Sequence, residues 1–263
     1  MPSQARQIAE SIRNSMRQSF FADHEYRVLP AGEVSLLDRQ FYRRHQEAFA
    51  AEGFRHLGDV EDVSLRKVQR VRALIRVMVD RPGTTSASFY RARPPFFQRV
   101  LMRLFLGLWT LDTLDLESSF SDGTYLVTTT GSANKLRPPP RIDVETLPND
   151  TPPAQALERH RLRLQAYQRS HPEARAIERH TWEEQAEGQR ELDRLKADHA
   201  RSRGHTLDFG EFMSLGGDKM DEALRQEVWQ ELRAMAQEAS PGEATLASPT
   251  ADPRATPDEP EDT

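Results

Sequence analysis

The chain has no cysteine, which excludes disulfides, thiolate metal sites and a cysteine nucleophile, and makes a reducing, cytoplasmic location the expectation. Lysine is scarce: Lys67, Lys135, Lys196 and Lys219 stand against Arg at every other basic position. No apolar run approaches the roughly 20 residues that a membrane span requires, since the longest uncharged one is 104–111. The N-terminus is interrupted by polar and charged residues throughout, unlike the basic start, apolar core and small-residue cleavage site of an export signal. The sequence also lacks an H-E-x-x-H pair, a G-x-S-x-G elbow and a two-glycine phosphate loop. No catalytic residue, cofactor site or metal site is therefore expected.

What is present is an uneven charge distribution. The formal charge of −5 over 263 residues conceals an acidic end: residues 238–263 carry seven acids and one Arg, a local −6 that leaves the rest near +1. In the opposite sense, residues 66–103 hold ten Lys or Arg against the single acid Asp80. That basic stretch runs into the apolar segment 96–111, and charge beside apolar surface commonly marks a contact site.

Periodicity divides the chain. Ile8, Ile12, Met16 and Phe20 recur every fourth position with Arg6, Arg13 and Arg17 between them, an amphipathic helix over 1–22 with a basic polar face. A second helix is expected over 34–51, capped by Ser35 and stopped by Gly53. After it the period changes to two. Strands are expected near 54–58, 71–79, 85–91, 114–121 and 124–130, with Pro82-Gly83 and Asp122-Gly123 as turns. The segment 136–153 contains six prolines and no period, which reads as a strap or linker.

Three helical segments follow. Leu157, His160, Leu164 and Tyr167 share one face; 174–201 is long and charged; and Asp218 caps a stripe of Met220, Leu224, Val228, Leu232 and Met235. In the charged helix Glu183, Glu184, Glu187 and Glu191 precede Arg190, Arg194 and Lys196, an order that suits the helix dipole. Its few large apolar residues predict exposure along much of its length, or pairing with another helix or subunit. The tail has too little apolar surface to offset its ordering entropy.

The expected fold is thus α+β: an antiparallel four- to five-stranded meander flanked by helices, with a helical C-terminal part and a disordered acidic tail. Its divisions are an amphipathic helix at 1–22, an α+β core at 23–135, a proline-rich strap at 136–156, a helical part at 157–237 and the tail at 238–263.

Three readings compete for the basic stretch. Arg72 and Arg76 alternate with Val71, Ala73, Ile75, Val77 and Val79, which predicts a solvated sheet face paired with Asp112, Asp115 and Glu117 on a neighbouring strand. An anionic surface is the second reading, and nucleic acid, the third, is not expected as a partner. For 96–111 the alternatives are a core helix or an interfacial one whose aromatic rings anchor beside arginines. His160, on an apolar stripe, reads as a hydrogen-bonded core histidine rather than a ligand.

The functional expectation is a non-catalytic binding or interaction module that meets an anionic membrane surface or a protein partner through Arg91, Arg93, Phe96, Phe97, Arg99, Arg103 and Trp109. The alternative is a small-molecule binder or hydrolase-like enzyme using a pocket over the sheet, lined by Tyr125, Ser118 and His56.

Overall fold

The computed structural model describes residues 2–20, 24–30, 33, 39–69, 73–92, 111–131 and 136–239. It is an α+β fold in which a seven-stranded sheet, in the order β1-β2-β3-β4-β5-β6-β7, carries helices on both faces. The strands are β1 (Tyr26–Val28), β2 (Arg55–Asp62), β3 (Leu74–Val79), β4 (Ser86–Ala92), β5 (Leu111–Ser119), β6 (Tyr125–Thr130) and β7 (Ile142–Leu147). Every neighbouring pair is antiparallel except β6 and β7, which run parallel. Among the described residues, none of the helices is long and apolar enough to cross a membrane.

Two strands exceed the expected four or five. β1 has three residues, too few to show a period. β7 lies inside the stretch read as a strap. Its prolines stand at 138–140, 148, 152 and 153, so 141–147 keeps every backbone N–H and pairs with β6 at the sheet edge, while the prolines are confined to its flanks.

One face of the sheet packs on α2 (Arg39–Ala51) and α4 (Pro153–Ser170). Phe41, Tyr42 and Phe49 of α2 meet Met78, Ala87, Phe89, Leu114 and Leu116 of the strands and Leu157 of α4 in one continuous core. Phe89 is fully buried and stacks on Phe49, with ring centroids 6.0 Å apart. Gly53, at φ 85°, ends α2 in the left-handed conformation glycine favours, and the Phe54 N–H then returns to the Phe49 carbonyl.

A separate cluster joins α1 (Gln4–Ser19) to α6 (Phe209–Ser214) and α7 (Glu222–Ala239): Ala5, Ala9 and Met16 pack with Phe212, Val228, Leu232 and Met235. The apolar stripe of the N-terminal helix is therefore taken up by the chain itself. Ser3 caps it through the Arg6 N–H. The last helix begins later than expected, at Glu222, with Asp221 accepting from the Leu224 N–H, and Gly217–Lys219 forms a short 3₁₀ turn before it.

The opposite sheet face is covered by α5 (Trp182–Ser202). This helix was expected from 174, but 174–181 is not helical: Ala176 bridges to Phe120, and the Ile177 N–H donates to the Ser119 carbonyl. Thr181 and Glu184 close a reciprocal capping box that sets the true start. Nor is α5 a largely exposed helix. Ala186, Gly188, Leu192, Ala197 and Ala200 are buried, and Leu192 packs with Tyr125, Val127 and Ile142. Small residues bring its backbone close to the sheet, so contact does not need a wide stripe of large side chains.

The short α3 (Val63–Gln69) follows β2 directly, because Asp62 Oδ1 accepts from the N–H groups of Ser64 and Leu65 at 2.9 and 3.0 Å. Phe89→Ala is expected to lower the unfolding free energy by about 3–5 kcal/mol, read from the midpoint of urea denaturation followed by far-UV circular dichroism.

Candidate functional site

Side chains alternate across the two covered faces. On β5, Leu114 and Leu116 enter the α2/α4 core, so Asp115 and Glu117 must point to the α5 side. They reach the floor of a cavity of about 210 Å³. Val60, Ile75, Val77, Ser88 and Tyr90 from β2, β3 and β4 complete the floor, and Tyr26 of β1 closes one side. Trp182, Gln185, Gln189, Asp193 and Lys196 overhang it from α5. The spacing of these five, three or four residues apart, places them on one helix face.

The cavity is polar on one side and apolar on the other. Burial raises the carboxyl of Asp115 above its ordinary value, partly offset by a hydrogen bond to Thr129 and by the charge of Lys196. Burial lifts Glu117 further, to about 7; Lys196 opposes this, while Asp115 and Asp193 add to it. Among the described residues Glu117 makes no hydrogen bond or ion pair. Asp193, by contrast, accepts from the Tyr26 hydroxyl at 2.9 Å and from Gln189 Nε2 at 3.0 Å, and lies 3.9 Å from Lys196. Burial also raises the Tyr90 hydroxyl, as does the neighbouring Asp115.

The rim is structured as well. His24 stacks on Tyr26 and places Nδ1 2.7 Å from Asp62. Burial opposes protonation of His24, but Asp62 and Asp193 outweigh it and raise its proton affinity. Tyr26 meets Trp182 edge-on, at 6.2 Å between ring centroids. Among the described residues no group of three or more His, Asp or Glu is placed to hold a metal ion.

A larger hollow, of about 300 Å³, lies between α2 and the start of α4. Two of its polar groups are engaged. His45 Nδ1 donates to the Phe41 carbonyl at 2.9 Å, and Asp112 is clasped by Arg91. The cavity under α5 is smaller and holds the Glu117 carboxyl, which burial raises to about 7.

The residues expected to line a sheet pocket do not converge. Tyr125 lies on the α5 side, with its hydroxyl donating to Glu191 at 2.9 Å. Ser118 faces the opposite side, where its hydroxyl is 3.0 Å from His160 Nε2. His56 sits on the outer part of β2, 3.5 Å from Asp59. The Ser118–His160 pair is sealed: both residues are buried, and His160 Nδ1 is held 2.9 Å from Thr128 Oγ1, itself an acceptor for Arg163 at 2.6 Å. Burial, reinforced by Arg163, drives the imidazole down to about 3, so it is neutral. Ser88 opens into the cavity opposite Asp115 on the neighbouring strand, but no histidine is among the described lining residues.

The basic stretch is not a solvated face paired with Asp115 and Glu117. Arg76 lies on the α2 side, where it clasps Asp59 at 2.6 and 2.8 Å, donates to Gln46 and lies over the Tyr42 ring. Burial works against the Asp59 charge, yet Arg76 and His56 hold its carboxyl at about 2. Arg66 and Lys67 pair with Glu61 and Glu25. Arg91 holds Asp112 with two contacts of 2.6 Å and covers the Phe41 ring at 4.7 Å. Of the three acids expected opposite Arg72 and Arg76, Asp112 does pair with an arginine of the stretch, but with Arg91 across β4 and β5; Arg72 lies outside the described residues. Arg93, Phe96, Phe97, Arg99, Arg103 and Trp109 lie outside the described residues, as does the tail from residue 240 onward.

Sequence reasoning missed the cavity because Leu114-Asp115-Leu116-Glu117 has the alternation of a strand with one wet face. The signal that points to it is the register of polar residues on α5, which matches a helix lying over a polar floor. Comparison of the chain with protein-family models, with curated proteins and with solved structures found no match.

The folded chain holds the Glu117 proton more tightly than the unfolded chain, whose carboxyl titrates near 4.5. The associated stability is complete below that value and is lost as pH rises through about 7; its size is at most about 3 kcal/mol. Glu117→Gln is expected to raise the thermal midpoint above pH 7 and leave it nearly unchanged near pH 5, as measured by calorimetry over a pH series. The ring-proton NMR signals of His160, assigned by their loss in His160→Asn, are expected to stay fixed from about pH 8 down to about pH 4.5. Titration near the ordinary histidine value would show that the site is open to water.

Proposed function

We propose that the chain is a small-molecule-binding protein whose ligand occupies the cavity between the sheet and α5. The observation that supports this reading is the Glu117 carboxylate, which lines that cavity without a hydrogen-bond or ion-pair partner among the described residues. Glu117 is partly buried; an acid that is poorly solvated and has no partner costs stability, and a bound ligand that supplies a partner offsets that cost. The mixed lining agrees with the reading, because ligand sites join an apolar surface to a few convergent polar groups.

Binding is preferred to catalysis because the Ser118–His160 pair is sealed on the other face and Ser88, the serine that lines the cavity, has no histidine beside it among the described lining residues. The membrane reading of 91–109 gains no support from Arg91, whose charge is already taken by Asp112.

Ser88 on the cavity floor provides the test, since a longer side chain there fills the space without touching the α2/α4 core. A panel of compact molecules of up to about 12 non-hydrogen atoms is expected to contain binders to the wild-type chain, detected by ligand-observed NMR. Ser88→Met is expected to abolish their binding while keeping the far-UV spectrum. Binding that Ser88→Met leaves intact, or its complete absence from the wild type, would remove the cavity from consideration.

A further inference from the structure

We infer that the cavity selects a compact organic amine, bound as its ammonium ion with the charge at Glu117 and the hydrocarbon part against the apolar floor. This inference rests on the binding reading above and specifies its ligand class.

Charge is the first ground. Asp115, Glu117 and Asp193 line the cavity against one cationic side chain, Lys196, which lies 3.9 Å from Asp193. A carboxylate or phosphate ligand would bring further negative charge into this poorly solvated space and be repelled. A cation relieves the excess.

Hydrogen-bond direction is the second. Gln185 spends its amide nitrogen on Ser86 Oγ at 3.0 Å, and Gln189 spends its own on Asp193. Each leaves a carbonyl oxygen without a partner among the described residues. Together with the Glu117 oxygens when ionised, these carbonyls are acceptors, while each amide nitrogen keeps a second N–H. The polar part of the cavity therefore includes several acceptors for a donor-rich group, and an ammonium ion carries donors with no acceptor.

Shape and aromatic character complete the argument. Tyr26, Tyr90 and Trp182 present rings to the cavity, and aromatic faces attract cations, most strongly when water is excluded. A cavity of about 150 Å³ accommodates benzene, so about 210 Å³ holds one ring with a short substituent. A divalent metal is disfavoured, because no third ligand joins the two β5 carboxylates among the described residues.

Benzylamine, benzyl alcohol and benzoate have one ring and one substituent of similar size, but the substituent is cationic, neutral or anionic. Each is titrated into the full chain by isothermal calorimetry at matched ionic strength, then into Glu117→Gln. Benzylamine is expected to bind at least tenfold tighter than the alcohol, benzoate not to bind, and Glu117→Gln to weaken benzylamine at least tenfold while leaving the alcohol unchanged. If the alcohol binds as tightly as the amine, or Glu117→Gln binds benzylamine like the wild type, the amine inference is wrong and the cavity remains a binding site. If none of the three binds while other compact molecules do so in a Ser88-dependent way, the inference falls alone. If nothing in the panel depends on Ser88, the binding reading falls with it.

Discussion

The structure depends on the burial of both faces of one mostly antiparallel sheet. Once α2 and α4 take up Met78, Phe89, Leu114 and Leu116, strict alternation sends Asp115, Glu117 and Tyr90 to the other side. Had that side faced water, these residues would need no explanation. With α5 laid across it, two carboxyl groups are held where solvation is poor, and burial raises both. The cavity follows from this conflict: the polar face of α5 spans the acids at a distance instead of packing onto them, because close packing would desolvate them further.

Elsewhere the protein satisfies its buried charges directly. Glu61, with a fully covered side chain, receives Arg27 at 2.7 Å and Arg66 at 3.0 Å. Arg76 and Asp59 form a two-point clasp, as do Arg91 and Asp112, and Arg203 holds Glu211 near the start of α6. Such pairs add little net stability, because the desolvation of both partners offsets their attraction. Their effect is geometric: Arg76 ties β3 to β2 and, through Gln46, to α2. Against these pairs, Glu117 stands apart in having no hydrogen-bond or ion-pair partner among the described residues.

Much of the architecture was legible in local pattern. The fourfold recurrence of Ile8, Ile12, Met16 and Phe20, the turns at Gly83 and Asp122-Gly123, and the stop at Gly53 are short-range signals, and each recurs in the fold. β7 was hidden because prolines on both sides dominate the composition of its neighbourhood, although none falls inside it. The α5 start was misplaced because the charge pattern continues smoothly across 174–181, while the stop depends on the Ile177 and Ser121 backbone hydrogen bonds to distant strands and loops. The candidate site was the least legible part. Its members come from five strands and two helices, and Tyr26 and Lys196 lie 170 positions apart along the chain.

The sequence by itself determined the class of each strongly periodic segment, the absence of thiol chemistry, and the separation of a near-neutral body from an acidic end, because these depend on composition and on neighbours a few positions away. Tertiary structure alone decided what the two sides of β5 meet. It also decided that Arg66, Arg76 and Arg91 belong to ion pairs rather than to an open basic surface, and that a helix poor in large apolar side chains covers a sheet. An alternating strand announces that its faces differ in polarity, but whether the polar face meets water or another element depends on where a segment tens of residues away comes to rest.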